Sequence, residues 1–78
     1  MARLSRSMVY ALNVLLTGRL YDAETVATSV GWSTSYARDV LNRLVKKRLV
    51  RKVRKGNRVY YQLAVPRHMA VSLIKGAG

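Results

Sequence analysis

The sequence reads as a small, mainly α-helical domain completed by a β-hairpin, and three observations lead there. Apolar residues recur at three- and four-residue spacing in successive stretches, as they do in helices that each bury one face. Two short runs rich in Val, Tyr and Leu flank Gly56-Asn57, a dipeptide suited to a two-residue hairpin turn. The chain has 78 residues, with no cysteine and one histidine. It is therefore one domain, expected over residues 1–78, with no disulfide framework, zinc site or thiolate cluster to staple it, and packing alone must hold it.

Helix one is predicted over residues 4–18, with Leu4, Met8, Ala11, Leu12 and Leu15 on one side. Val9, Tyr10, Val14 and Leu16 lie off that stripe, which leaves more apolar surface than the outer helix of a monomer needs. Gly18 suits the left-handed position that ends a helix. Residues 22–47 follow as two helices about a tight turn. Asp22 caps the first of them, Glu24 complements its positive end, Val26, Ala27 and Val30 face inward, and Gly31 stops it. Ser33 or Thr34 caps the next helix, in which Ala37, Val40, Leu41, Leu44 and Arg48 share one side. Ser35, Arg38, Asp39, Asn42 and Lys46 share the other, so one side is core and the other polar and mostly basic.

The hairpin is expected over residues 49–64. With Gly56 and Asn57 as its loop, Lys55 pairs with Arg58, Arg54 with Val59, Val53 with Tyr60, Lys52 with Tyr61 and Val50 with Leu63. Alternation then puts Val50, Val59, Tyr61 and Leu63 on the face that meets the helices. Pro66 at a first helical position, followed by Met69, Ala70, Leu73 and Ile74, predicts a short closing helix over 66–75 that stops at Gly76.

Fifteen Lys and Arg against three Asp and Glu give a net charge of +12. Residues 38–58 hold ten of those cations and only Asp39 among acids, a net +9 that repels itself unless a polyanion relieves it. Nucleic acid is the expected partner. Half the residues are apolar, which separates this chain from disordered basic tails. No carboxylate pair, nucleophile with a base or glycine-rich phosphate loop is present, so the sequence predicts a binding module with no cofactor, metal or small-molecule ligand and not an enzyme. Met8 to Leu16, the longest mostly apolar stretch, falls far short of the roughly 20 residues that cross a bilayer. Arg3 and Arg6 precede it as in a secretory signal, yet Thr17-Gly18-Arg19 offers no small-x-small cleavage site, and the expected location is the cytoplasm, at the nucleoid. Trp32 is expected in the core, and His68, beside Arg67, exposed and idle.

Helix, helix, turn, helix and hairpin in that order resembles the winged helix-turn-helix regulator superfamily over about residues 4–64. The resemblance is carried by Thr25-Val26-Ala27-Thr28-Ser29-Val30-Gly31-Trp32-Ser33, where small Ala27 lets two helices approach and Gly31 allows the turn. It continues through Tyr36-Ala37-Arg38-Asp39-Val40-Leu41-Asn42-Arg43-Leu44 to Lys46 and Lys47, Leu49-Val50, Arg54 and Tyr60-Tyr61-Gln62-Leu63. Tyr10-Ala11-Leu12, Ser35-Tyr36-Ala37, Leu49-Val50 and Val53-Arg54 are similar to the bacterial repressors that sense iron–sulfur clusters. Those carry cluster-ligating cysteines and a longer C-terminal dimerisation helix, neither of which is found in this sequence, so cluster sensing is not carried over.

The resemblance implies a double-stranded DNA-binding protein, a transcriptional regulator, with its third helix in the major groove and the basic hairpin, or wing, on the backbone. Ser33, Thr34 and Ser35 at the helix start would hold a phosphate, and Tyr36 would pack a ribose or phosphate. Arg38 and Asn42, one turn apart, suit guanine and adenine edges. Arg43 and Lys46 would reach phosphates, although Asp39 is spaced to pair with Arg43 instead. Arg51, Lys52, Arg54, Lys55 and Arg58 would form a backbone clamp. An RNA-binding or ribosome-associated protein, or a sequence-tolerant architectural chromatin protein, would use the same charge differently. A winged helix docked on a protein partner would be less basic. The surplus apolar surface of helix one, with Met69, Val71, Leu73 and Ile74, predicts a homodimer through the first and last helices. The alternative is that the last helix folds back on helix one of its own chain.

Overall fold

Side chains that accept backbone N–H groups start three of the helices, which fixes where each begins. In the computed structural model, which describes residues 4–76, Ser5 accepts from the Met8 amide and helix α1 runs Arg6–Val14, tightening into a 3₁₀ turn over Leu15–Thr17. Arg3 and the two ends of the expected 1–78 domain lie outside the described residues. Asp22 accepts from the Thr25 amide at 2.8 Å to start α2, Ala23–Val30, and Ser33 accepts from the Tyr36 amide at 3.2 Å to start α3, Thr34–Lys46. Gly31 ends α2 at φ 79, where a side chain would strain the backbone by about 1–2 kcal/mol.

Strands β1, Val50–Lys55, and β2, Arg58–Leu63, pair in the expected register, with Arg51 opposite Gln62. Helix α4, Arg67–Gly76, closes the chain. Three local expectations are corrected. Arg48 does not extend the inner side of α3: the helix ends at Lys46, and Arg48 turns to φ 64 with its side chain exposed. Pro66 stands just before α4, its carbonyl accepting from the Met69 and Ala70 amides, and the helix runs through Gly76 instead of stopping there.

The core gathers the predicted stripe of α1 with Val26, Ala27, Ala37, Val40, Leu41 and Leu44 from the helix pair and Val50, Tyr61 and Leu63 from the hairpin. Trp32 packs half-buried against it, and His68 is exposed. Helix α4 lies on α1 and the 3₁₀ turn of its own chain, burying Ala70 completely and packing Leu73 and Ile74 against the core. Much of the apolar surface assigned to a partner is thus covered internally, while Tyr10 and Met69 stay about half exposed. Among the described residues, no helix is long and apolar enough to cross a membrane.

One connection has no counterpart in the sequence reading. Tyr21, in the link between the 3₁₀ turn and α2, forms a one-residue antiparallel bridge with Tyr61, its amide donating to the Tyr61 carbonyl at 2.9 Å and its carbonyl accepting from the Tyr61 amide at 2.7 Å. Gln62 adds a side-chain bond to the Gly18 carbonyl at 2.8 Å. The hairpin is thereby sewn to the link that precedes α2.

Hydrogen bonds from the Thr25 hydroxyl and amide hold the Asp22 carboxyl below its ordinary value, with Arg58 adding to the effect against partial burial. The ionised cap stabilises the fold above the ordinary carboxylate range, and that contribution is lost as pH falls through the lowered value. Asp22→Ala should therefore reduce the unfolding free energy at pH 7 by roughly 0.5–2 kcal/mol in urea denaturation. The difference from wild type should narrow below about pH 3.8, and an undiminished difference there would contradict the assignment.

Candidate nucleic-acid interface

The outward side of α3 carries Ser35, Arg38, Asp39, Arg43 and Lys46, all exposed, with Thr34 and Asn42 half-buried. No ion pair forms between Asp39 and Arg43; among the described residues the only one is Arg58 to Asp22, at 3.8 Å. Arg43 is therefore free to reach outward. Asp39 stands exposed on the outward side with Ser35 and Asn42, as the helical period predicts, where a carboxylate could accept from a cytosine amino group. At the entry to α3, Ser33 uses its oxygen as the cap, so its hydroxyl proton is what it can still donate. Tyr36 is tied back to α1 by a 2.6 Å contact between its hydroxyl and Ser7 Oγ, and it meets Trp32 edge-on with ring centroids 5.0 Å apart. Its exposed ring, and not a free hydroxyl, is what it offers.

The wing's five cations divide between its two faces. Lys52 and Arg54 pair with Tyr61 and Val59 and so share the helix-side face, whereas Arg51, Lys55 and Arg58 alternate to the other face with Val53 and Tyr60. The Lys52 ammonium sits 5.9 Å from the centre of the Tyr61 ring. Arg58, near the turn, leans back to Asp22, but its side chain is 71% exposed, and such a pair is worth about 1 kcal/mol or less. A phosphate could take it over. The turn is made by Gly56 at φ 58, which lets the two strands reverse within two residues.

Tyr61 joins the wing to the helix. Its side chain is buried, and its hydroxyl donates to Asn42 Oδ1 at 3.2 Å. Burial pushes the phenol above its ordinary value, and the positive charge of Arg38 pulls it part of the way back. Arg38 and Tyr61 line a common cleft of about 380 Å³ between the start of α2, the first turns of α3 and the wing turn, with Thr34, Asn57 and Arg58 also on its walls. Asn42 is thus engaged by the wing on one side, and the two residues proposed to read bases are not equivalent: Arg38 is exposed, Asn42 partly held. Lys47 and Arg48, exposed just beyond α3, extend the basic strip past the residues singled out by the sequence.

No family model and no curated protein matches the sequence. Solved structures do match the fold. The chain is similar to the homodimeric winged helix-turn-helix DNA-binding domain of Mb0332 from Mycobacterium bovis, a possible ArsR-family transcriptional regulator, at 27% identity and a TM-score of 0.74 over 91% of this chain and 63% of that one. It is similar to the PcaV transcriptional regulator from Streptomyces coelicolor at 25% identity and a TM-score of 0.80, covering 94% of this chain and 54% of that one. A MarR family protein from Bacillus stearothermophilus superposes with a TM-score of 0.80 at 18% identity, over 97% of this chain and 55% of that one. The chain spans between half and two thirds of the length of these structures. The fold is the winged helix-turn-helix.

Proposed function

We propose that this winged helix-turn-helix domain is a transcriptional regulator that binds double-stranded DNA, with α3 in the major groove and the wing along the backbone. One observation carries the reading: all ten cations between residues 38 and 58 are exposed, and among the described residues only Arg58 is engaged by an acid. They lie on α3, on the turn that follows it and on the hairpin, and a helix with a hairpin beside it suits the B-form major groove, which is about 12 Å wide. A-form RNA has a deep, narrow major groove that would not admit the helix. In this reading Arg38 and Asn42 contact base edges, while Ser33, Thr34, Ser35, Arg43 and Lys46 contact phosphates at the groove edges. Lys52 and Arg54 face the bound duplex, and Lys55 and Arg58 grip the backbone from the wing turn. Regulator neighbours such as PcaV and Mb0332 support the same role, and a regulator of that kind would act in the cytoplasm, at the nucleoid.

The reading also includes a homodimer. Tyr10 and Met69 keep apolar surface exposed on α1 and α4 after α4 has folded back, and the Mb0332 domain is homodimeric. A two-fold pair would present two α3 helices about 34 Å apart, one turn of DNA.

Binding should weaken steeply with salt, with a log–log slope of about −0.9 per phosphate neutralised and roughly 5 to 8 phosphates per protomer. Replacing Arg54, Lys55 and Arg58 together with alanine should lower affinity similarly for every sequence and flatten the slope. A wild-type slope shallower than about −2, or equal binding to duplex RNA, would contradict the DNA reading. Sedimentation at micromolar concentration checks the dimer: a species of twice 8.8 kDa is expected, and a stable 8.8 kDa species would contradict it.

A further inference from the structure

We propose that Tyr61 is a positioning residue that decides which hydrogen-bonding end of Asn42 faces a base, so that a wing strand takes part in sequence reading without touching DNA. The inference rests on α3 being the groove helix. Tyr61 is well placed to impose an orientation, because it is 2% exposed and its amide and carbonyl are both bonded to Tyr21, at 2.7 and 2.9 Å. From that fixed position its hydroxyl meets Asn42 Oδ1 at 3.2 Å.

A side-chain amide has an acceptor end and a donor end. With Oδ1 turned toward the wing, the end left to face outward is the NH₂ group. The charge of Arg38, which lines the same cleft, favours this direction of the bond. A guanidinium cannot accept a hydrogen bond, so it attracts the lone pairs of the phenol oxygen and leaves the phenol proton for Asn42. Adenine is read by asparagine through both ends at once, accepting from N6 and donating to N7. An Asn42 held in this way offers donors alone, and the major-groove edge made only of acceptors is that of guanine, N7 and O6. The sequence taken by itself assigned Asn42 to adenine; the contact with Tyr61 reassigns it to guanine.

Selection of bound sequences from a random duplex library, using the full chain and its variants, tests this. Wild type should show guanine at one position that becomes indifferent in Asn42→Ala. Tyr61→Phe keeps the buried ring and frees the amide to turn, so the preference for guanine over adenine there should fall by roughly 2- to 10-fold, the worth of one hydrogen bond. Affinity for random duplex and the salt slope should stay unchanged. In the Asn42→Ala background, Tyr61→Phe should have no further effect at that position. Asn42→Asp, a change on the half-buried helix surface that leaves the core alone, keeps an acceptor for Tyr61 but loses the donors, and should move the preference toward cytosine. A sharp wild-type profile that Tyr61→Phe leaves unchanged, or changes equally without Asn42, overturns the role of Tyr61 alone. A profile in which Asn42→Asp still selects guanine there overturns the assignment of guanine to Asn42, and the role of Tyr61 with it. A flat wild-type profile overturns the groove reading and this assignment with it.

Discussion

A two-stranded hairpin is marginal in water, and the wing of this protein stands because one of its residues, Tyr61, is held from three directions. Its backbone exchanges two hydrogen bonds with Tyr21, its ring is buried with Val50 and Leu63, and its hydroxyl reaches Asn42 on the third helix. The short link before α2, the hairpin and α3 are therefore joined through a single residue. Without this anchor the cations of the wing would hang from a flexible ribbon, and each would lose side-chain and backbone entropy on contact with a partner. With it, their positions relative to α3 are set before binding.

That preorganisation opposes a strong electrostatic strain. Ten exposed cations lie between residues 38 and 58, and the chain has three acids in all. Two of them, Asp22 and Glu24, stand at the start of α2, where they complement the positive end of the helix and Asp22 caps it. Asp22 also holds Arg58 loosely near the wing turn. The third, Asp39, lies on the outward side of α3 without a cation partner among the described residues. The fold thus leaves its basic strip uncompensated, and the self-repulsion that results is relieved when a polyanion covers it.

What was legible in the sequence follows the range of the signals. Helix caps and the hairpin register are local: Asp22, Ser33 and Gly56-Asn57 act on residues two or three positions away, and the structure agrees with each of them. The bridge from Tyr21 to Tyr61 was not legible, because a strand one residue long has no periodicity and its partner lies forty residues on. The tie between Tyr61 and Asn42 has the same origin, since a polar residue on an outward helix side reads as solvent-facing until the neighbouring element is known. Arg48 was misplaced because the helical period continues past Lys46 while the backbone does not. The division of the wing cations between two faces followed from the register and not from charge density. For α4, the same apolar residues can serve a fold-back or a second copy, and only the packing of Ala70, Leu73 and Ile74 on α1 shows how much is used within the chain.

If Tyr61 makes the third helix and the wing one preorganised surface for duplex DNA, amide chemical shifts on titration with a short duplex should record it. The shifts should gather on α3 from Ser35 to Lys46 and on the wing, extend to Tyr21 through its bridge to Tyr61, and leave the amides of α4 unmoved by DNA contact. Shifts confined to α1 and α4, with α3 and the wing unchanged, would contradict it.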